Sequence, residues 1–151
     1  MTIAATVVQL QMLHKTIDGV VSVPTAYPGS INTADLPLVI VWPKQATSRP
    51  LTARAITVRS ERVYSVRCYM EAMGQDNYDT PVQNGIAMLQ RFLDMYFNNT
   101  ELLKGYTQIV SVSDSGLTSG GDLVATASLV YAGNFYKGFV CDLTILEVFD
   151  P

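Results

Sequence analysis

The sequence has few of the residues on which catalysis and metal binding usually depend. Among 151 residues there are one histidine and two cysteines, and only 15% of the residues are charged. His14 lies within an apolar helical pattern and has no suitable neighbour to orient it, so we expect a core or interface histidine. Two cysteines and one histidine do not complete a usual zinc site. The sequence therefore predicts no catalytic residue, no cofactor and no metal.

Long apolar runs, export signals and blocks of like charge are also missing. No apolar run approaches the roughly 18 residues that span a bilayer. A secretory signal has basic residues before its apolar region, and no basic residue precedes the first apolar residues here. The net charge is −3, and the basic stretch from Arg49 to Arg67 is interleaved with Glu61. We expect synthesis in a cytoplasm, no membrane or sequence-specific nucleic acid as partner, and buried, unpaired Cys68 and Cys141.

The chain has a high proportion of apolar residues beside its low proportion of charged ones. They make up 48% of the chain, and the mean hydropathy is +0.21. Soluble domains typically contain about 25% charged residues, so part of this surface must be apolar or uncharged. Exposed apolar patches usually mark contacts with other molecules. The composition favours a subunit that is partly covered by other subunits over a monomeric domain.

Periodicity predicts one α+β domain, residues 1–151, in the order helix, three strands, helix, three strands. We expect a mostly antiparallel sheet of about six strands with two helices packed on it. The predicted helices span residues 3–17 and 80–98, and the predicted strands span 36–42, 51–59, 62–71, 106–113, 123–131 and 136–148.

Local signals set the boundaries of these elements. Thr80-Pro81-Val82-Gln83 has the pattern of a capping box with proline at the first helical position. Pro43 is predicted to end the first strand, and Ser60-Glu61 to connect the next two as a hairpin. Ala132-Gly133-Asn134 is a turn signal before the last strand.

Four segments carry a family resemblance: Leu36 to Pro43, Arg62 to Tyr69, Leu89 to Phe97 with the following Leu102-Leu103, and Tyr131 to Phe139. Their pattern and order resemble the tail terminator and tail completion proteins of long-tailed phages, over nearly the whole chain. The resemblance implies a virion subunit at the head-tail junction that forms a ring, expected to be a hexamer. Such a ring caps the tail tube protein and offers a surface to the head connector or head completion protein.

A ring requires two different patches on each subunit, and long loops and edge strands can supply them. We expect the contacts in an arm at Pro24 to Asp35, a loop at Pro43 to Pro50 and a hairpin tip at Ser115 to Gly121. The candidate contact residues are Tyr27, Ile31, Trp42, Gln45, Arg49, Leu117, Thr118, Ser119 and Tyr136. Deleting Thr118 to Gly120 should leave the fold intact but weaken ring formation or joining.

Two alternatives stay open at this point. Within the assembly class, the chain could be a different head-tail connector or a minor tail component. In a different class, it could be a small-molecule or peptide-binding domain whose sheet and helices enclose a pocket lined by tyrosines. Such pockets normally carry a few convergent polar or titratable groups, which the sequence does not show.

Overall fold

The computed structural model describes residues 3–50, 58–72, 82–102, 107–115, 118–119, 122–123 and 128–149. It contains two α-helices and a curled antiparallel sheet of six strands, which confirms the predicted α+β class. The helices are α1 (Ile3–Lys15) and α2 (Val82–Asn98), with one turn of 3-10 helix at Thr33–Asp35. The strands are β1 (Leu38–Pro50), β2 (Val58–Ala72), β3 (Glu101–Leu102), β4 (Thr107–Ser115), β5 (Thr118–Ser119), β6 (Asp122–Leu123), β7 (Ser128–Tyr131) and β8 (Asn134–Phe149). Strands β5 and β6 pair with each other, and the other six form the main sheet.

The last strand, β8, is the centre of the sheet. Strand order is β1-β2-β8-β4-β3, and β7 also pairs with β8. One edge of β8 pairs with β2 from Tyr136 to Phe149. Its other edge pairs first with β7, at Asn134 to Lys137, and then with β4, at Val140 to Glu147. The sheet therefore ends in β1 on one side and in β3, β4 and β7 on the other, and we call these the β1 edge and the β4 edge.

The prediction of a hairpin turn at Ser60-Glu61 is wrong. Both residues lie inside β2, where Ser60 is opposite Ser48 and Glu61 is opposite Thr47 of β1. Strands β1 and β2 are much longer than predicted, and residues 51–57 between them lie outside the described residues. Strand β2 continues through Ser60 because a small polar residue fits within a strand as well as within a turn.

The predicted end of the first strand at Pro43 is also wrong, and so is the predicted loop from Pro43 to Pro50. The register of β1 against β2 shifts between Pro43 and Ala46, so a bulge accommodates the residue that has no backbone N–H. Arg62 donates from Nη1 to the carbonyl oxygen of Lys44 at 2.7 Å. A side chain from the neighbouring strand thus satisfies a carbonyl at the bulge, and β1 continues to Pro50.

Other predicted boundaries agree more closely with the structure. Helix α2 ends at Asn98 as predicted, while Thr80 and Pro81 of the capping box lie outside the described residues. Helix α1 ends at Lys15, before the predicted Ile17, and Gly19 follows with a φ of 92°. The turn at Ala132-Gly133 is confirmed by positive φ at both residues. The predicted strand 123–131 is divided between β6 and β7, with residues 124–127 outside the described part.

The larger hydrophobic core lies between the sheet and the helices, and we call it the helix-covered core. Leu10 of α1 and Phe92 of α2 are fully buried against sheet residues such as Phe139 and Leu143. Phe92 meets Phe139 edge to face, with 4.9 Å between ring centroids. This arrangement combines area burial with the favoured aromatic geometry. Helix α1 packs mainly on β1 and α2 on β8.

A second, smaller core lies on the opposite face of the sheet, and we call it the aromatic core. It contains Ile31, Leu38, Ile40, Tyr69 and Tyr136, with Trp42 and Tyr131 partly buried at its border. The segment predicted as an extended arm, Pro24 to Asp35, supplies Ile31 to this core. The arm is therefore packed against its own chain, since the Tyr131 hydroxyl donates to the carbonyl oxygen of Pro28.

Candidate interaction surfaces

The single histidine joins the two helices in the helix-covered core. His14 is fully buried, its Nδ1 lies 2.6 Å from the carbonyl oxygen of Leu10, and its Nε2 lies 2.7 Å from the Tyr96 hydroxyl. Because a carbonyl can only accept, Nδ1 carries the hydrogen and Nε2 accepts from Tyr96. Burial lowers the pKa of His14 to about 4, and the hydrogen bond to Leu10 opposes this shift. The imidazole is neutral at physiological pH, and the expectation of a core histidine is confirmed.

A second buried polar contact lies at the other end of this core. Glu147 of β8 is fully buried and accepts a hydrogen bond from the Tyr64 hydroxyl of β2. Burial, followed by the contact with Glu147, raises the pKa of Tyr64 well above its usual range. Glu147 lies between Ser60 and Thr107 in the register of the three strands, and both are also buried. This carboxylate contacts the sheet interior and has no exposed surface at which to meet a substrate.

Both cysteines are free and buried, as predicted. Burial raises the pKa of Cys141 to about 12 and that of Cys68 well above its usual value. A thiol that stays protonated is a poor nucleophile and metal ligand. The described residues contain no group of three or more histidine, cysteine or acidic side chains that could hold a metal ion.

The border of the aromatic core is open to solvent. Trp42 packs against Tyr27 and Tyr131, with ring centroids 5.0 and 6.5 Å apart, and Tyr27 is 54% exposed. The guanidinium carbon of Arg67 lies 4.8 Å from the Trp42 ring centroid, within the range of a cation–π contact. Tyr27 is held in place because its hydroxyl donates to the carbonyl oxygen of Val41 at 3.3 Å.

An apolar groove adjoins Tyr27 at the β1 edge, and we call it the α1 groove. It has a volume of about 440 Å³. Its apolar lining comes from α1, the arm and β1, and includes Ile3, Val7, Val8, Met12, Tyr27 and Pro43. Val8 and Met12 are more than half exposed. Gln11, Lys15 and Thr25 supply its polar groups. A groove with so little polarity suits an apolar side chain from another protein better than a polar small molecule.

The opposite edge of the sheet carries a separate set of exposed apolar side chains. Val130 of β7 and Phe135 of β8 are directly paired across the hairpin, and each is more than half exposed. Val110 of β4 is exposed at a register shift between Ile109 and Ser111. Phe97, at the end of α2 just before β3, is 66% exposed. The β4 edge therefore carries exposed apolar side chains that are distinct from the α1 groove, with Val130 and Phe135 at the start of β8 and Val110 opposite its C-terminal half.

The residues predicted to contact partners differ in their exposure and in the elements to which they belong. Tyr27 is exposed and Trp42 is half-buried, whereas Ile31 and Tyr136 are covered by the chain's own aromatic core. Ile31 and Tyr136 therefore offer little surface to a partner. Gln45 and Arg49 lie in β1, and Thr118 and Ser119 form β5, which pairs with β6 in a separate two-stranded sheet. Leu117 lies outside the described residues, and the contact role of this whole set stays a prediction.

Sequence reasoning missed most of the exposed apolar residues. Helical spacing predicts one apolar stripe in the first helix with Ile3, Val7, Leu10 and Ile17, and another in α2 that includes Phe97. Ile3 instead lines the α1 groove, and Phe97 is largely exposed. The signal that could have found the groove is the second apolar row of α1, since Val8 and Met12 lie four residues apart outside the predicted stripe. A helix that is apolar on two faces needs a second partner.

The chain matches no protein-family model and no curated protein sequence. Among the described residues, none of the helices is long and apolar enough to cross a membrane.

Proposed function

We propose that this protein is a virion assembly subunit that forms a ring, caps the tail tube of a long-tailed phage and provides the surface for joining to the head connector. The proposal combines the resemblance of the sequence to tail terminator and tail completion proteins with the distribution of exposed apolar residues.

The observation that supports the proposal best is the presence of two different apolar surfaces at opposite edges of one sheet. The α1 groove lies at the β1 edge, and Val130 and Phe135 lie at the β4 edge. A subunit that joins its neighbours through two unlike patches makes head-to-tail contacts, and such contacts close into rings when the rotation allows. A subunit with a single patch would instead form a dimer.

The buried polar groups agree with a structural role. The imidazole of His14, the Glu147 carboxylate and both thiols are enclosed in the helix-covered core. Each is in contact with the chain itself, where it links two elements or fills space. The exposed surfaces described above are instead apolar, which is the composition expected at the centre of a protein interface.

Electron microscopy of tail tubes polymerised with and without the protein tests this function. We expect rings at the tube ends and tubes of more uniform length when the protein is present. Sedimentation velocity of the protein alone would show whether the ring forms before it meets a tube. A protein that stays monomeric at high concentration and leaves tube ends and lengths unchanged would overturn the proposal.

A further inference from the structure

We infer that one water molecule is bound inside the protein between the Glu147 carboxylate of β8 and the Thr107 hydroxyl of β4, where it completes a line of hydrogen bonds from α1 to β4. The site lies at one end of the helix-covered core. It goes beyond the proposed function and does not depend on it, because its side chains are buried within a single subunit.

The first part of this line of hydrogen bonds is formed by side chains alone. The Tyr64 hydroxyl donates to Oε1 of Glu147. Burial raises the pKa of Tyr64, and a hydrogen bond with the Thr6 hydroxyl of α1 opposes this rise. Thr6, Tyr64 and Glu147 are all fully buried. These contacts connect α1, β2 and β8 and engage only one of the two carboxylate oxygens.

The second carboxylate oxygen lies opposite another buried polar atom. Among the described residues, neither Oε2 of Glu147 nor Oγ1 of Thr107 has a hydrogen-bond partner. The two residues are directly opposite each other in the pairing of β4 with β8. No other two of the unpartnered buried side chains in the described strands are paired in this way. Because the Cβ atoms of such a pair are about 4.5 to 5.5 Å apart, one small molecule can contact both oxygens.

The other neighbours of Glu147 are engaged elsewhere. Ser60, opposite Glu147 on β2, is buried and has an interaction of its own. Arg62, two residues further along the same strand, donates to the carbonyl oxygen of Lys44. None of the ion pairs among the described residues includes Glu147. The free oxygen of the carboxylate is therefore matched by Thr107 on the β4 side.

The chemistry of the two oxygens selects water as the ligand. A carboxylate oxygen can only accept a hydrogen bond, whereas a hydroxyl can donate or accept. A water molecule can donate to Oε2 of Glu147 and bond to Oγ1 of Thr107 at the same time, as buried waters do with polar groups that have no other partner. Neither side chain has exposed surface, which excludes a larger ligand.

A crystal structure of the unaltered protein, at a resolution that shows ordered water, tests the inference. We expect one solvent peak within about 2.5 to 3.0 Å of both oxygens. Thr107→Val keeps the shape of the side chain but removes the hydroxyl, so the water loses a partner and the peak should be absent. Thr144→Val is the matched control, because Thr144 is partly exposed and lies on the opposite face of β8 from Glu147.

Urea unfolding gives a second measurement. The folding equilibrium constant should fall at least about tenfold for Thr107→Val, because loss of the water leaves Oε2 of Glu147 buried without a partner. It should fall less than about threefold for the Thr144→Val control, as for most substitutions away from the core. If Thr107→Val does not fold, the structure of the unaltered protein decides alone.

Three results would overturn the inference. The first is a direct hydrogen bond from the Thr107 hydroxyl to Oε2 of Glu147 with no solvent between them. The second is a metal cation at this position, which anomalous scattering from crystals transferred to a rubidium salt would reveal. The third is a solvent peak that persists in Thr107→Val with no loss of stability. None of these results bears on ring formation at tube ends, so the inference and the proposed function can fail separately.

Discussion

The two faces of the sheet show two ways of covering apolar surface. On one face, two amphipathic helices enclose a core in which Phe92, Tyr96 and His14 are fully buried. On the other face, an irregular segment with a single turn of 3-10 helix closes a smaller aromatic core, and Tyr27 and Trp42 remain partly exposed at its border. The first face is closed where the helices meet the sheet, while the second stays partly open at Tyr27, which also lines the α1 groove. The difference suggests that the helix-covered core supplies most of the folding energy, and that contact with a partner is left to the outer side of α1 and the border of the aromatic core.

Truncation of Phe92 should show the largest effect, because it removes a side chain from the centre of the helix-covered core. Its ring lies 4.9 Å from that of Phe139 and 5.3 Å from that of His14. Phe92→Ala should lower the free energy of unfolding by about 3 to 5 kcal/mol, as measured by urea titration. Phe97→Ala is the matched control on the same helix, since Phe97 is exposed. Equal losses in the two variants would contradict the burial of Phe92.

Acidification should weaken the same face through His14. Burial lowers the pKa of this imidazole from 6.5 to about 4 in the folded protein, so between these values the unfolded chain binds a proton that the folded chain does not. The free energy of unfolding should therefore fall as the pH drops through this window, by about 3 kcal/mol from this residue, and level off below it.

One histidine makes this effect simple to assign. NMR titration of the ring of His14 should show no protonation above about pH 5 in the folded protein, and His14→Gln should reduce the pH dependence of unfolding between pH 6.5 and 4. A titration midpoint near the ordinary value of 6.5 would show that the ring is accessible to water and would remove the difference between the two faces.

The degree to which each face could be predicted follows from how local its signals are. The α2 helix shows its period within its own residues, so its C-terminal end at Asn98 was predicted correctly. The extent of β1 depends on a bulge and on Arg62 of the neighbouring strand. The sequence around Pro43 shows neither the bulge nor the contact with Arg62. The contact between the arm and the aromatic core joins Pro28 to Tyr131, 103 positions apart, and a local pattern could not show it.

The exposed apolar residues were hard to predict for a related reason. Periodicity indicates that a helix or strand has an apolar face, but burial depends on what lies across from that face. Phe97 follows the fully buried Tyr96 in α2 but lies on a side of the helix that the sheet does not cover, and Val130 pairs with Phe135 where neither is buried. The exposed residues of the β4 edge could therefore be recognised only once the sheet order was known, whereas the second apolar row of α1 can be read from the sequence.

Removal of Trp42 tests the second face and should have a smaller effect than that of Phe92. Trp42 contacts Tyr27 and Arg67 but is only half-buried. Trp42→Ala should cost about 2 kcal/mol, roughly half the loss for a fully buried aromatic residue. Trp42→Phe, which keeps an aromatic ring against Tyr27, should recover much of the loss. A cost equal to that of Phe92→Ala would mean that the two faces contribute equally to folding.

Arg67 allows the finest test of the comparison, because its effect on folding and its effect on contact can be separated. Its guanidinium lies over the Trp42 ring at 4.8 Å, and a cation–π contact at a partly exposed site contributes about 0.5 to 1 kcal/mol. Arg67→Met keeps an apolar stem but removes the charge, so it should lower the free energy of unfolding by no more than this amount. Arg67→Lys keeps the charge without the planar group, so its free energy of unfolding should lie between those of Arg67→Met and the unaltered protein.

If the open border of the aromatic core serves contact more than stability, Arg67→Met should weaken ring formation at tube ends by a larger factor than it weakens folding. The reverse order of the two effects would assign Trp42 and Arg67 to the folding core.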